Sequence, residues 1–319
     1  MRTRRADPMD PDLNARERAW WNDNAPVIER VWEMDPEVSR VVRGRYLSAA
    51  RQFFLSGRTS ATVLEPGCGS GWVGQALAGP DLRIVGTDFS ESQIDLARSR
   101  AGRIGLSEYC KYRVLAPDSW PVEAGAVDGV LMHAFLHHLD DVEVDGLFGQ
   151  LRSRLRPGTK VWIFEPAFLS GEVRAPSGPV WWLGRSMHAL CAVQRLASRL
   201  LGLRDEPTAD SFDRLMRQAQ ESGWYLSPKE VPFDRDTFTG RIRQHFTLHR
   251  TRWQTIYLVG WALETNLLRS AGFRRLSCST LLRLAAACDH YIAARADQLG
   301  SALSPPAYGF AVWECEVPV

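Results

Sequence analysis

The chain has 319 residues, 45% of them apolar and 24% charged, with a net charge of only +2. That is an ordinary soluble globular composition, long enough for one large domain or two smaller ones, and it makes no global case for nucleic acid as a partner. The opening MRTRRADPMDPD lacks the apolar centre of a signal peptide, and WQTIYLVGWALETNLL (253–268) is too short and polar to span a bilayer, so neither a leader nor a membrane partner is expected.

Residues 12–56 read as helix, with apolar residues at three- and four-residue spacing in ERAWWNDNAPVIERVWE and VSRVVRGRYLSAARQFFL. Pro26 and Pro36 are expected to break this arm into pieces. SATVLEP (60–66) is a short apolar strand, and a glycine-rich turn after it opens the helix WVGQALAG (72–79). LRIVGTDFS (82–90) is a second buried strand ending in Asp88, followed by the amphipathic helix ESQIDLARSRAGRIG. YCKYRVL (109–115) and GAVDGVLMH (125–133) read as the third and fourth strands. DVEVDGLFGQLRSRLRPG (141–158) is a helix stopped by Pro157-Gly158, and TKVWIFEP (159–166) is the fifth strand.

Near-continuously apolar strands alternating with helices predict a parallel sheet covered on both faces. Ligands of such sheets bind at the C-terminal strand ends. Beyond 166 the alternation stops. Residues 178–204 and 211–224 read as helical, 225–233 as a strand, and 237–300 as a long, mostly helical insertion. GFAVWECEV (309–317) alternates and reads as a closing strand. The expected organisation is an N-terminal helical arm (1–58), an α/β Rossmann-like core (59–168), and a helical lid carrying the last strands (169–319).

The turn VLEPGCGSGWVG (63–74) has two readings. From Gly69 it matches GxGxxG, a dinucleotide fingerprint; from Glu65 it is an acid followed by Gly67, Gly69 and Gly71. Asp88 suits both, because a carboxylate at the second strand end can accept from both ribose hydroxyls. Glu65 discriminates. A dinucleotide sets its pyrophosphate on the helix N-terminus, where an acid would repel it. S-adenosylmethionine (SAM) places an ammonium and a sulfonium there instead, and a carboxylate favours both.

Over 60–166 the chain resembles the class I SAM-dependent methyltransferases. VLEPGCGSG looks like their first motif, IVGTDFS their second, VDGVLMHAFLHHLDD their fourth, and LRPGTKVWIFEP the segment around their fifth strand. The resemblance implies a seven-stranded, mostly parallel sheet whose last strand, GFAVWECEV, runs antiparallel, and SAM as cofactor. Carried over by position, Glu65 faces the methionine ammonium. Gly67, Cys68, Gly69 and Gly71 form the close-approach turn, Asp88 binds the ribose, and Phe89 packs on the adenine. The usual adenine-binding acid falls on Ala116, so Asp118, two residues later, is the candidate substitute.

A base is needed if the acceptor is a hydroxyl, an ammonium or a carbon acid. His133 ends the fourth strand, His137 and His138 follow within one turn, and Glu165 ends the fifth strand. His133, His138 and Glu165 are therefore the catalytic candidates; for Glu165 the competing role is ordering the next loop. RIRQHFTLHRTR (241–252), with four arginines, two histidines and no acid, reads as a solvated basic face, with an anionic-substrate pocket and then RNA contact as the sharper options. No metal is expected, since no HExxH frame is present and no pair of the cysteines at 68, 110, 191, 278, 288 and 315 is spaced CxxC. Free thiols in a reducing cytosol fit that cysteine usage. Trp20, Trp21, Trp181 and Trp182 are candidates for an aromatic wall enclosing the acceptor.

The layout resembles bacterial methyltransferases of specialised metabolism. The expected activity is methyl transfer to oxygen, nitrogen or carbon of a small, partly hydrophobic metabolite in the cytoplasm. A homodimer is admitted as an assembly and nucleic acid is not expected as a partner. The alternatives are a SAM-binding protein of the same fold that guides a cyclisation or rearrangement without transfer, and an NAD-dependent oxidoreductase.

Overall fold

A computed structural model of the chain describes residues 12–32, 36–115, 126–168, 227–231, 233–256, 287 and 308–318. The helical readings of 178–204 and 211–224, and Asp118, Trp181 and Trp182, lie outside the described residues.

The arm consists of α1 (Leu13–Trp32) and α2 (Pro36–Leu55). Pro36 opens α2, at the first helical position where its missing N–H is no loss. Pro26, by contrast, sits inside α1 and does not end it, against expectation. An interior proline costs about 3 kcal/mol, and the tertiary anchors of α1 described below offset that cost.

Five parallel strands follow: β1 (Ala61–Pro66), β2 (Leu82–Asp88), β3 (Cys110–Val114), β4 (Gly129–His133) and β5 (Lys160–Phe168). Between them run α3 (Trp72–Leu77), α4 (Glu91–Arg103) and α5 (Asp141–Arg154). The helix starts are written locally. Ser90 caps α4 by accepting from the Gln93 amide, and Asp140 with Glu143 forms a reciprocal capping box on α5.

The additions supply the rest of the sheet: β6 (Phe233–Asp234), α6 (Arg235–His245), β7 (Thr247–Ile256) and β8 (Tyr308–Glu316). Sheet order is β3-β2-β1-β4-β5-β8-β7, with the two-residue β6 beside β5. The main path thus has the expected seven strands. β8 runs antiparallel to β5 and fills the place between β5 and β7.

Side-chain alternation with both faces covered explains the unbroken apolar runs. In β5, Val161 and Ile163 join Leu64, Val130, Met132 and the α5 and α6 residues Val144, Phe148, Phe238 and Ile242 in one core. Trp162 and Phe164 point the other way, packing with Val63, Leu131 and residues of α2, α3 and α4. At Gly129 an added Cβ would lie 2.5 Å from the Phe54 ring, so the bare backbone lets α2 settle on the sheet.

Two expectations beyond the core are corrected. Residues 247–256 form a strand, not helix. Threonines and Trp253 favour the pleated surface, and the basic residues find acids at the edge of β8 and on α5. His249 Nε2 lies 3.2 Å from Glu316 and Arg252 3.1 Å from Glu314. Arg241 on α6 pairs with Asp141 at 2.6 Å, and His245 stands 3.7 Å from Asp145. Arg241, His245, His249 and Arg252 thus lie against carboxylates, so the stretch 241–252 is not a solvated basic face throughout. Second, 227–231 is a turn, and only Phe233–Asp234 pairs in the sheet; Pro228 and Pro232 have no amide to give a ladder.

Candidate active site

The C-terminal ends of β1, β2, β4 and β5 bring the predicted residues to one edge. After β1 the chain turns through three left-handed glycines, Gly67 (φ 64°), Gly69 (φ 52°) and Gly71 (φ 73°). The three do different things. A Cβ on Gly67 would fall 2.3 Å from the Phe135 ring, and one on Gly71 would fall 2.6 Å from the Tyr112 hydroxyl. Those two glycines admit the protein's own aromatics. At Gly69 the nearest atom would be Gln93 Oε1 at 3.7 Å, so Gly69 is the one whose face is open.

Glu65 is buried, its Oε2 has no hydrogen-bond partner, and burial pushes its pKa up to about 8 despite the Gly74 amide. Among the described residues, Asp88 is held by backbone amides. The Gly69 amide donates to its Oδ2 and the Ser90 amide to its Oδ1, each at 2.9 Å. Burial raises the Asp88 pKa against those two hydrogen bonds. Cys68 is a buried free thiol, pushed well up by burial and by Asp88 and Glu65. Phe89 is half-buried, with the Arg18 guanidinium 5.7 Å from its ring centre.

The base candidates separate clearly. His133 stacks on Phe164 with ring centres 4.4 Å apart, its Nε2 is buried without a partner, and burial pushes its pKa down to about 3. Glu165 is fully buried. Its Oε1 accepts from the amides of Phe135 (2.9 Å) and Leu136 (2.8 Å), and its Oε2 lies 2.7 Å from His137 Nδ1. Burial raises Glu165 to about 8 and lowers His137 to about 3, which leaves the pair uncharged overall with a proton on the O···N line. Glu165 thereby fixes the turn 135–137 that follows the left-handed Ala134 (φ 51°). These contacts are those of the ordering role.

His138 belongs to a network that sequence reasoning missed. Its Nδ1 lies 2.9 Å from Ser227 Oγ and 3.1 Å from Glu17 Oε1. The Ser227 hydroxyl donates to Glu17 Oε1 at 2.7 Å, Trp21 Nε1 donates to the same oxygen at 2.9 Å, and the Lys229 amide donates to Glu17 Oε2 at 2.9 Å. Burial opposes charge on His138, but Glu17, Glu230 and Glu165 outweigh it and raise its pKa. Burial opposes charge on Glu17 too, and hydrogen bonding and charge from His138, with Ser227 and the Lys229 amide, bring its pKa below the ordinary value. Nearby, Ser90 Oγ donates to Asn22 Oδ1 at 2.6 Å, which ties α1 to the start of α4 beside Asp88. The available signal was Glu17 itself, an acid on the helical face of Trp20, Trp21 and Asn24.

Residues 63–158 match the family described as Methyltransferase domain. That segment contains the glycine turn, Asp88 and the His133–His138 stretch just described. That segment is similar to a methyltransferase domain. Among curated relatives, the ubiquinone biosynthesis O-methyltransferase of Methylocella silvestris is 28% identical over 151 residues, covering 44% of this chain and 55% of the relative. That of Coxiella burnetii is 27% identical over 143 residues, with 45% and 55% covered. The chain thus spans about half the length of these relatives. Among solved structures, the [4+2]-cyclase SpnF is 15% identical with a TM-score of 0.52, covering 95% of this chain and 96% of its own. A geranyl diphosphate methyltransferase solved with GPP and sinefungin is 13% identical with a TM-score of 0.52, covering 96% and 100%. These likenesses concern the fold.

The residues present fit SAM: the unpartnered buried carboxylate oxygen of Glu65 would suit a cationic group, Gly69 leaves the backbone approachable, and Asp88 is pre-oriented by two amides with lone pairs to spare. Among the described residues there is no group of histidines, cysteines or carboxylates able to hold a metal ion, and no helix long and apolar enough to cross a membrane.

Proposed function

We propose that the protein transfers a methyl group from SAM to oxygen, nitrogen or carbon of a small, partly hydrophobic metabolite, with His138 as the proton acceptor. SAM brings an activated methyl group, so the chain's task is to bind, to align and to accept a proton. Glu65, Asp88 and the Gly69 face would hold the cofactor, Glu65 toward its cationic end. Phe89, with Arg18 behind it, is offered for the adenine, and Asp118 stays a candidate for its amino group. Cys68 shapes the turn as a buried neutral thiol.

The observation behind the choice of base is that His138 alone of the three candidates is an imidazole with one nitrogen held against a carboxylate and a hydroxyl, Glu17 and Ser227. Glu165 spends both oxygens on the 135–137 turn, and His133 lies in an aromatic stack. His138 stands near enough to Asp88 to lower its pKa electrostatically, so base and ribose-binding acid share one sheet edge. Trp20 and Trp21, edge-to-face at 4.9 Å, with Trp21 against His138 at 5.3 Å, begin an apolar wall on the same side. The acceptor in this reading is a free small molecule of bacterial specialised metabolism, with no nucleic acid as partner.

Calorimetry with SAM and with NADH tests the cofactor, and NADH binding without SAM binding would refute the reading. Production of S-adenosylhomocysteine with candidate acceptors separates transfer from a SAM-assisted cyclisation on the same fold.

A further inference from the structure

Glu17 lies on α1, outside the segment that matches the methyltransferase family, yet it is buried and accepts at both oxygens. Its chemistry fixes where protons lie. Glu17 is ionised near neutral pH, so the proton on its 2.7 Å contact with Ser227 must come from the Ser227 hydroxyl. That hydroxyl has one hydrogen. Having given it to Glu17, Ser227 Oγ can only accept across its 2.9 Å contact with His138 Nδ1. Nδ1 must therefore carry a hydrogen, which also faces Glu17 Oε1 at 3.1 Å. In neutral His138 the lone pair is then forced onto Nε2, which has no hydrogen-bond partner among the described residues.

We propose that Glu17 and Ser227 are positioning residues that lock His138 as its Nδ1–H tautomer and so present Nε2 as the proton acceptor, which makes docking of α1 a condition of a competent site. The step would balance: the acceptor's proton would move to Nε2 as the acceptor's electron pair forms the bond to the methyl carbon, the carbon–sulfur bond of SAM would break with its electron pair kept by the sulfur of the departing S-adenosylhomocysteine, and the imidazolium formed would lie against the Glu17 carboxylate until it loses that proton to solvent. The orienting logic is that of any imidazole whose second nitrogen is tied to a carboxylate. Titratable groups face His138 from every packed element: Glu17 of α1, Glu165 of β5, Glu230 of the 227–231 turn, neighbouring His137, and Asp88 of β2. The proposal rests on His138 being the base, but its test needs no acceptor.

The test is nitrogen-resolved NMR of histidine-labelled full-length protein titrated with acid and base, the His138 signals being identified by their loss in His138→Gln. Wild type should show neutral His138 protonated on Nδ1, titrating above an ordinary histidine. Glu17→Gln should lower that midpoint by about one pH unit or more, as loss of an adjacent opposite charge does, while SAM affinity stays within about twofold. Ser227→Ala should leave the midpoint nearly in place and mix the two tautomers. A wild-type His138 protonated on Nε2, or a Glu17→Gln midpoint equal to wild type, overturns the proposal. Should Glu17→Gln not fold, the wild-type tautomer and Ser227→Ala still decide it. Failure of wild type to bind SAM refutes the cofactor reading and leaves the tautomer result standing.

Discussion

The two sides of the candidate site hold their carboxylates differently. On the cofactor side, Asp88 is gripped by the backbone amides of Gly69 and Ser90, all within a few residues of strand ends. On the arm side, Glu17 is gripped by Trp21, Ser227 and the Lys229 amide, and Ser227 is 210 residues away in sequence. Backbone grips depend on turn geometry and tolerate many side chains. Side-chain grips depend on distant segments arriving together, so they couple the site to tertiary packing.

The largest effect should come from Glu165→Ala, which strips two backbone amides and His137 of their partner in a fully buried place. Breaking such a buried set costs roughly 3–5 kcal/mol, and denaturant unfolding would register it; a loss under about 1 kcal/mol would show that the turn 135–137 holds itself. Next, Asp88→Ala should weaken SAM binding by about 2 kcal/mol, the range for hydrogen bonds to a charged group, by calorimetry. An unchanged affinity would remove the backbone-gripped acid from the cofactor site.

Glu65 sharpens the contrast through pH. Its folded pKa, raised to about 8, means that ionising it while buried and alone disfavours the fold. Stability from this group is therefore fully present below its unfolded value and falls as pH rises toward about 8. A bound cation reverses that penalty, so SAM affinity should rise with pH up to about 8 and then level, with a proton released on binding below it. Calorimetry in buffers of different ionisation enthalpy counts that proton; Glu65→Gln should flatten the dependence. The smallest change is expected from Arg241→Ala. Its pairs with Asp141 and Asp145 are on partly exposed groups, and such pairs contribute up to about 1 kcal/mol. A larger loss in thermal unfolding would give the basic stretch a role beyond these ion pairs.

How much was legible follows the same division. The five parallel strands, the glycine turn and Asp88 were readable because each is encoded within about ten residues: apolar runs, turn glycines, a strand-end acid. Which glycine keeps an open face was not readable, since Phe135 and Tyr112 occupy two of the three only after folding. Strand β7 was missed because its acids, Glu314 and Glu316, lie sixty residues on and cancel what looks like a solvated basic face. The candidate base was named, but its partners Glu17 and Ser227 could not be. An acid among tryptophans and a serine before a proline carry no local sign of meeting at one histidine.

One consequence concerns the order in which the sheet can be assembled. β8 is the last of the described strands to leave the ribosome, yet it lies between β5 and β7, pairing with Lys160–Phe168 on one side and Thr247–Ile256 on the other. Until it arrives, both neighbours have a bare edge, and joining them across more than fifty intervening residues is a slow, non-local step. During synthesis the nascent chain therefore presents an open strand border that invites chaperones or unwanted pairing, and a single late segment closes it on both sides at once.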